Sequence, residues 1–189
     1  MYAYKMFNKD LTCTHGRGKF QYVQGEWMEE PEANCAKNGF HCAENPLDCL
    51  SYYPVFDAAR CFLVEAGGSI DEDGHDTKIS CTRIRLEREL NLRQFVAAAA
   101  LYMVNHPHMP ENRYVMHEDA KAGQNHFAIC RGRNGLKAAG KIGDVLAILE
   151  EDEDGDITSV RIMEIDGTDF LPDTWYDIEG KEIGGAGDE

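Results

Sequence analysis

Long hydrophobic runs are missing from this chain of 189 residues, and its seven cysteines include no C-x-x-C pair. No stretch approaches the roughly 18 apolar residues of a membrane-spanning helix, which argues against a helical membrane protein. The first residues lack the charged and then apolar segments of a secretory signal, so we expect a protein of the cytoplasm. An odd number of irregularly spaced cysteines in a reducing compartment argues against a disulfide framework.

Residue patterns that hold metals or activate nucleophiles are also scarce. Close His and Cys pairs occur, such as His126 and Cys130, but no two pairs form a zinc-finger spacing, so we expect no metal and no cofactor. His41 and Cys42 are adjacent, which is compatible with a nucleophilic pair. Adjacent residues on a strand point to opposite faces, however, and this weakens that hypothesis.

Basic residues are almost absent from the last quarter of the chain. The net charge is −15, and residues 144–189 hold 16 acidic and two basic residues, which gives −14. The first 143 residues are therefore close to neutral, with a locally basic stretch at 113–141. Charge of this kind bears on solubility and on the choice of partner, but it does not decide the fold.

Alternation of apolar and polar residues predicts strands at 2–7 and 79–86, and the apolar segment at 60–66 predicts a core strand. Asn45 is a strong N-cap followed by Pro46 at the first helical position, which predicts a short capped helix over 46–53. An alanine-rich segment predicts a long helix over 87–105. We therefore expect an α+β protein with a mixed or antiparallel sheet, these two helices and a C-terminal β-hairpin.

The linking segments leave alternatives open. Gly67 and Gly68 indicate a turn, and the small residues that recur over 123–143 fit either a coil of tight, stacked turns or a plain glycine-rich loop. The predicted regions are an α+β N-terminal domain over 1–86, the long helix with a Gly/Ala-rich connection over 87–142, and an acidic hairpin region over 143–189.

Several short motifs resemble an uncharacterised domain family that is common in phages and in mobile elements of gut bacteria. The similarity covers about residues 2–86 and 143–183. The motifs that carry it are YKMFNKDLTC at 4–13, FQY at 20–22, GFH at 39–41, NPLD at 45–48, YYP at 52–54, DG at 166–167 and PDTWY at 172–176. This resemblance implies a genomic setting and assigns no catalytic residue.

The N-terminal half is also similar to the fold of ADP-ribosyltransferases. That resemblance implies a basic first-strand residue, where Lys5 stands, with His41 after Gly39-Phe40 and a pocket beside Lys5, His41 and Tyr52. It also implies a late catalytic glutamate, for which Glu65 and Glu87 are the candidates. An enzyme of this type, or an inactive relative, is the alternative function.

The acidic last quarter carries the main functional hypothesis. Acidic surfaces repel nucleic acid and anionic membranes and attract basic protein surfaces. We expect a non-enzymatic phage or mobile-element protein that binds a nucleic-acid-binding host protein as a DNA mimic, for example an anti-CRISPR inhibitor of a CRISPR nuclease. The carboxylates predicted to make the contact are Glu150, Glu151, Asp152, Glu153, Asp154 and Asp156.

Other interpretations remain open beside this one. The acidic residues are also typical of simple solubilisation, and a structural accessory protein fits the same sequence. The basic stretch 113–141 fits contact with nucleic acid or pairing with the acidic hairpin in a homodimer. Because it lacks interleaved aromatic residues, direct nucleic-acid binding is disfavoured, and no membrane partner is expected.

Overall fold

The computed structural model describes residues 1–15, 18–72, 74 and 76–184. The chain divides into two compact units, Met1–Asn91 and Leu92–Glu189. The division falls after Asn91, and the predicted connection and hairpin regions lie in one unit. We expect the tail after Ile183 to be frayed, and its residues 185–189 lie outside the described residues.

Within the described residues, the regular secondary structure of the first unit is seven strands and two short 3₁₀ helices. Its strands are β1 Tyr2–Phe7, β2 Thr12–Cys13, β3 Phe20–Gln21, β4 Trp27–Glu29, β5 Phe40–Ala43, β6 Arg60–Glu72 and β7 Lys78–Leu90. The 3₁₀ helices are Pro46–Ser51 and Phe56–Ala58. The second unit begins with one helix, α1 Leu92–Asn105. Its strands are β8 Val115–Met116, β9 Asp119–Lys121, β10 Phe127–Gly132, β11 Lys137–Ala139, β12 Val145–Glu151, β13 Ile157–Glu164, β14 Trp175–Tyr176 and β15 Glu182–Ile183.

Antiparallel pairing closes the main strands of the first unit into a ring. The strand order β7-β5-β1-β6 returns to β7, and β4 adds to the other half of β7. Aromatic and branched side chains fill the ring, with Phe7, Phe40 and Phe62 almost fully buried. Phe7 meets Phe62 edge to face with ring centroids 5.7 Å apart, an arrangement that aromatic pairs prefer.

The turn predicted at Gly67 and Gly68 is wrong, because both glycines lie within β6. The ladder between β6 and β7 shifts register between Gly67 and Ile70, which marks a bulge that bends the strand. Gly68 has φ +74°, and a Cβ there would collide with Thr82 Oγ1. The long hairpin β6–β7 therefore bends at this point and continues.

The short capped helix lies where the sequence predicts it, but it is a 3₁₀ helix and ends at Ser51. Asn45 Oδ1 accepts a hydrogen bond from the Leu47 amide at 3.0 Å, and Pro46 opens the helix. The predicted long helix begins at Leu92, since residues 87–90 continue β7 and pair with β6 as far as Leu90. The α+β class itself is confirmed.

The second unit contains a short coil, which settles the alternative left open for residues 123–143. Strands β8, β10 and β12 stack in parallel, so that Val115, Ile129 and Ala147 are neighbours. On the other side of the coil, β9 and β11 stack in parallel with Ala120 beside Ala138. The small side chains inside suit such narrow turns, because backbones approach closely there.

Antiparallel strands complete the two sheets of this unit. The predicted hairpin is confirmed, with β13 antiparallel to β12, while β14 and β15 extend the sheet of β11. Helix α1 packs on β12 and β13, and its residues Phe95, Val96 and Ala99 are fully buried. Among the described residues, no helix combines the length and hydrophobicity that a membrane crossing requires.

Candidate functional site

The acidic turn joins β12 to β13 at residues 152–156 and is built by one of its own carboxylates. Asp152 Oδ1 accepts hydrogen bonds from the amides of Asp154 at 3.0 Å and Asp156 at 2.9 Å. Gly155 has φ +86°, a conformation that glycine adopts at little cost. Asp152 therefore shapes the turn, and its charge is already engaged by backbone donors.

Arg131 fixes the base of this hairpin from the neighbouring strand β10. Its side chain is 4 % exposed, and its guanidinium forms an ion pair with Glu151 and a longer one with Glu111 at 3.5 Å. It also donates to the Pro107 carbonyl. A buried guanidinium needs such partners, so the Glu151 carboxylate is neutralised within its own unit.

The six predicted carboxylates therefore divide into two groups. Glu151 and Asp152 are used inside the hairpin, and Asp156 lies 3.3 Å from His108 Nε2. Glu153 and Asp154 are exposed and Glu150 is half-buried, and in the part of the chain that the structure describes none of these three forms an ion pair.

Part of the basic stretch meets the hairpin of its own chain. Besides Arg131, Arg133 donates to the Glu153 carbonyl oxygen at 2.6 Å, which leaves the Glu153 carboxylate free of this contact. Lys137 lies over the Trp175 ring, 5.1 Å from its centroid. The basic residues of this stretch thus make contacts at several places within the second unit. The homodimer in which the stretch pairs with the hairpin of another copy remains a prediction.

A cleft in the first unit is the other candidate site. It has a volume of about 930 Å³ and is formed by β1, the β2–β3 hairpin, β5, the 3₁₀ helix Pro46–Ser51 and the start of β7. Its lining includes Lys5, Phe20, His41, Tyr52 and Lys78. The volume lies in the range of small-molecule sites in proteins.

Lys5 forms the floor of this cleft because strand alternation turns it inward with Ala3 and Phe7. The residue is 6 % exposed, and its ammonium donates to the His41 carbonyl oxygen at 2.5 Å. Burial alone lowers the pKa of Lys5, but Tyr22 and three nearby thiols raise it, and the resulting pKa lies above the usual value. The His41 carbonyl and the rings of Phe7 and Tyr22, whose centroids lie 5.4 and 5.2 Å from Nζ, favour the charged form of Lys5.

The polar groups around Lys5 are largely uncharged. Burial raises the pKa of Tyr22, and it raises the pKa of the Cys49 thiol to about 12. The hydrogen bond between the Cys42 and Cys81 thiols raises the pKa of Cys42 and lowers that of Cys81. Cys42 is thus held as a thiol, which further disfavours the nucleophilic pair with His41.

The cleft is lined by Lys5, His41 and Tyr52, beside which a pocket was expected, but the candidate glutamates do not reach it. Glu65 and Glu87 both pair with Arg85, at 2.8 and 2.5 Å, and neither lines the cleft. Asp48 does line it, and its carboxylate accepts from the Thr77 hydroxyl at 2.6 Å. The geometry therefore assigns no catalytic glutamate.

Sequence reasoning missed Phe20 and Lys78 as parts of this site. The cleft is assembled from segments that are far apart in the chain, so no local motif joins them. The inward position of Lys5 among apolar neighbours was the usable signal, since buried lysines are rare. No group of three or more His, Cys, Asp or Glu side chains within the described ranges is arranged to hold a metal.

Comparison with protein families assigns the chain to a family. A family model described as "Domain of unknown function (DUF7666)" matches residues 1–98, so the chain belongs to this family. The match covers the first unit and its cleft and ends before the acidic hairpin. No curated protein matches the chain significantly. No solved structure does so either.

Proposed function

We propose that the second unit binds a basic partner protein through Glu150, Glu153 and Asp154. The observation that carries the proposal is the construction of the turn. Asp152 and Arg131 hold the hairpin in one shape, while the Glu153 and Asp154 side chains stay exposed. Carboxylates held in place lose little conformational freedom on binding, which favours association.

The chemistry points to a partner that otherwise binds nucleic acid. Fixed carboxylates attract lysine and arginine side chains as phosphates do, and such contacts weaken as salt rises. A host protein with a basic nucleic-acid channel is the proposed partner class, and a CRISPR nuclease is the concrete case. The protein then acts by occupying the channel, and no bond is made or broken.

A charge-reversal experiment tests this proposal. The triple variant E150K/E153K/D154K removes the three available carboxylates from the hairpin. The matched control D169K/D173K/E182K makes the same change in net charge at exposed acidic positions of the same unit. We expect the wild type and the control to slow DNA binding by a guide-loaded CRISPR nuclease, and the hairpin variant to lose at least ten-fold in potency.

The salt dependence separates this mechanism from a general charge effect. Inhibition by the wild type should weaken steeply between low and physiological salt, and the hairpin variant should show a shallower dependence. Equal loss in both triple variants would show that only net charge matters. If the hairpin variant kept full potency, these carboxylates would not be part of the interface.

A further inference from the structure

The floor of the cleft in the first unit holds a positive charge without a carboxylate partner. Lys5 forms no ion pair within the described part of the chain, although it is almost completely buried. We propose that this cleft binds a small phosphate-bearing molecule whose negative charge is anchored by the Lys5 ammonium. The proposal concerns a different unit from the acidic hairpin and does not depend on it.

The hydrogen-bonding capacity of Lys5 supports a ligand. An ammonium has three N–H donors. The His41 carbonyl takes one of them, and the Tyr22 hydroxyl lies within reach of a second. At least one donor therefore remains for an anion. Because an isolated buried charge is costly, a ligand that brings the opposite charge to this point stabilises the site.

Other side chains of the cleft favour a ligand with more than one negative charge. Lys78 lines the same cleft and donates to the Tyr52 hydroxyl at 2.9 Å, and the exposed Lys37 lies at the rim. The acidic groups in the lining are Glu30 and Asp48. A phosphate monoester carries between one and two negative charges near neutral pH, so it gains more from this arrangement than a single carboxylate does.

Aromatic side chains indicate that the ligand has an organic part. Phe20 is 36 % exposed and Tyr52 is 40 % exposed, and both line the cleft. Phe20 leans on Phe40 with ring centroids 5.4 Å apart, which supports one wall. Apolar walls with a few charged groups are typical of sites for small organic molecules.

The charge of the whole protein limits the size of the ligand. The net charge of −15 repels a long polyanion, whose distant phosphates would lie beyond the lysines of the cleft. A small molecule places its phosphate within a few ångströms of Lys5, where screening over the Debye length of about 8 Å leaves the local attraction in place. The chemistry therefore favours a free organic phosphate over a nucleic-acid strand.

Calorimetric titration of the full chain tests the proposal with defined probes. The probes are inorganic phosphate, pyrophosphate, AMP, ADP-ribose, NAD and a 20-nucleotide single-stranded DNA. We expect at least one of the three organic phosphates to bind more tightly than inorganic phosphate and the DNA. No binding by any organic phosphate at millimolar concentration would overturn the proposal, and so would tighter binding of the DNA strand.

The variant K5M removes the charge and keeps a long side chain. We expect at least ten-fold weaker binding of the organic phosphate, and a higher unfolding temperature without ligand because a buried charge is gone. The matched variant K9M changes an exposed lysine outside the cleft and should bind like the wild type. Unchanged binding by K5M would overturn the role of Lys5.

Two further variants keep the outcome decisive. If K5M does not fold, Y52A, which alters an exposed side chain of the lining, should weaken the organic phosphate more than pyrophosphate, and equal effects on both would contradict the site. The hairpin variant E150K/E153K/D154K should bind the organic phosphate as the wild type does. The two proposals can thus fail separately.

Discussion

The two units use charge in opposite ways. The first unit buries the lysine ammonium of Lys5 beneath a cleft, while Arg60, Arg83 and Arg85 pair with glutamates, Arg60 with Glu89 at 2.7 Å. The second unit buries the guanidinium of Arg131 against Glu151, and most of its other described acidic residues lie outside the strands, in turns and loops. The net charge of −15 is therefore the sum over two units in which charged residues are arranged differently.

Acidic turns account for part of the charge in the second unit. The Asp166 carboxylate accepts hydrogen bonds from the amides of three residues that follow it, and Asp177 accepts from two. Asp152 does the same in the hairpin. Aspartate suits such turns because its short side chain reaches the next backbone donors. The number of acidic residues in a sequence therefore overstates the number of carboxylates that are available to a partner.

The largest expected effect comes from Arg131 in the second unit. R131M leaves Glu151 partly buried without its counter-charge and breaks the tie to Pro107. Loss of one partner of a buried ion pair typically costs about 3 kcal/mol in the free energy of unfolding. Urea denaturation of the full chain, followed in the transition of the second unit, measures this loss.

The control for that experiment is R133M. Arg133 is exposed and contacts a backbone carbonyl, so we expect a change below about 0.5 kcal/mol. If both variants lost the same stability, the burial of Arg131 would not be what distinguishes it.

A second prediction concerns the close packing of the first unit. G68A places a side chain at φ +74° and against Thr82, so we expect a loss of about 2 kcal/mol. G25A has a similar φ of +82° but open space around it, and should lose about 1 kcal/mol from backbone strain alone. Thermal unfolding of both variants measures the difference in stability loss. Equal losses would show that the contact with Thr82 does not add to the cost at Gly68.

The smallest predicted effect is a pH dependence in the β2–β3 hairpin. The Thr12 hydroxyl and the Lys19 ammonium lower the pKa of Asp10 from 3.8 to about 2. A folded-state pKa below the unfolded value means that Asp10 stabilises the hairpin above about pH 4 and loses this contribution as the pH falls toward 2. NMR shifts of the Thr12 amide should report the transition, and D10N should abolish it.

Local patterns in the sequence were sufficient for much of the fold. Alternation predicted β1 and the first part of β7, and the pair Asn45-Pro46 predicted where the capped helix begins. The start of the long helix was wrong because the alanine run carries the helical signal, whereas residues 87–90 are fixed by pairing with β6. Tertiary pairing overrides local propensity in such cases.

The candidate sites were less accessible to sequence reasoning. The six carboxylates stand together in the chain and were easy to find, but the ion pair that neutralises Glu151 depends on Arg131, which lies on another strand. The cleft draws Lys5, Phe20, Tyr52 and Lys78 from four distant segments. Among the residues of the cleft, Lys5, His41 and Tyr52 were marked beforehand, through the resemblance to ADP-ribosyltransferases.

Ring closure in the first unit also bears on the kinetics of folding. Strand β1 pairs with β6, and in this ladder Tyr2 is the partner of Glu65, which lies far along the chain. The ring closes only after β7 has also paired with β5. Contacts between such distant residues slow folding, since a long loop must be ordered first. During synthesis the aromatic strand β1 therefore lacks its full set of partners until β5 and β6 have left the ribosome, and its apolar residues are exposed to aggregation during that time.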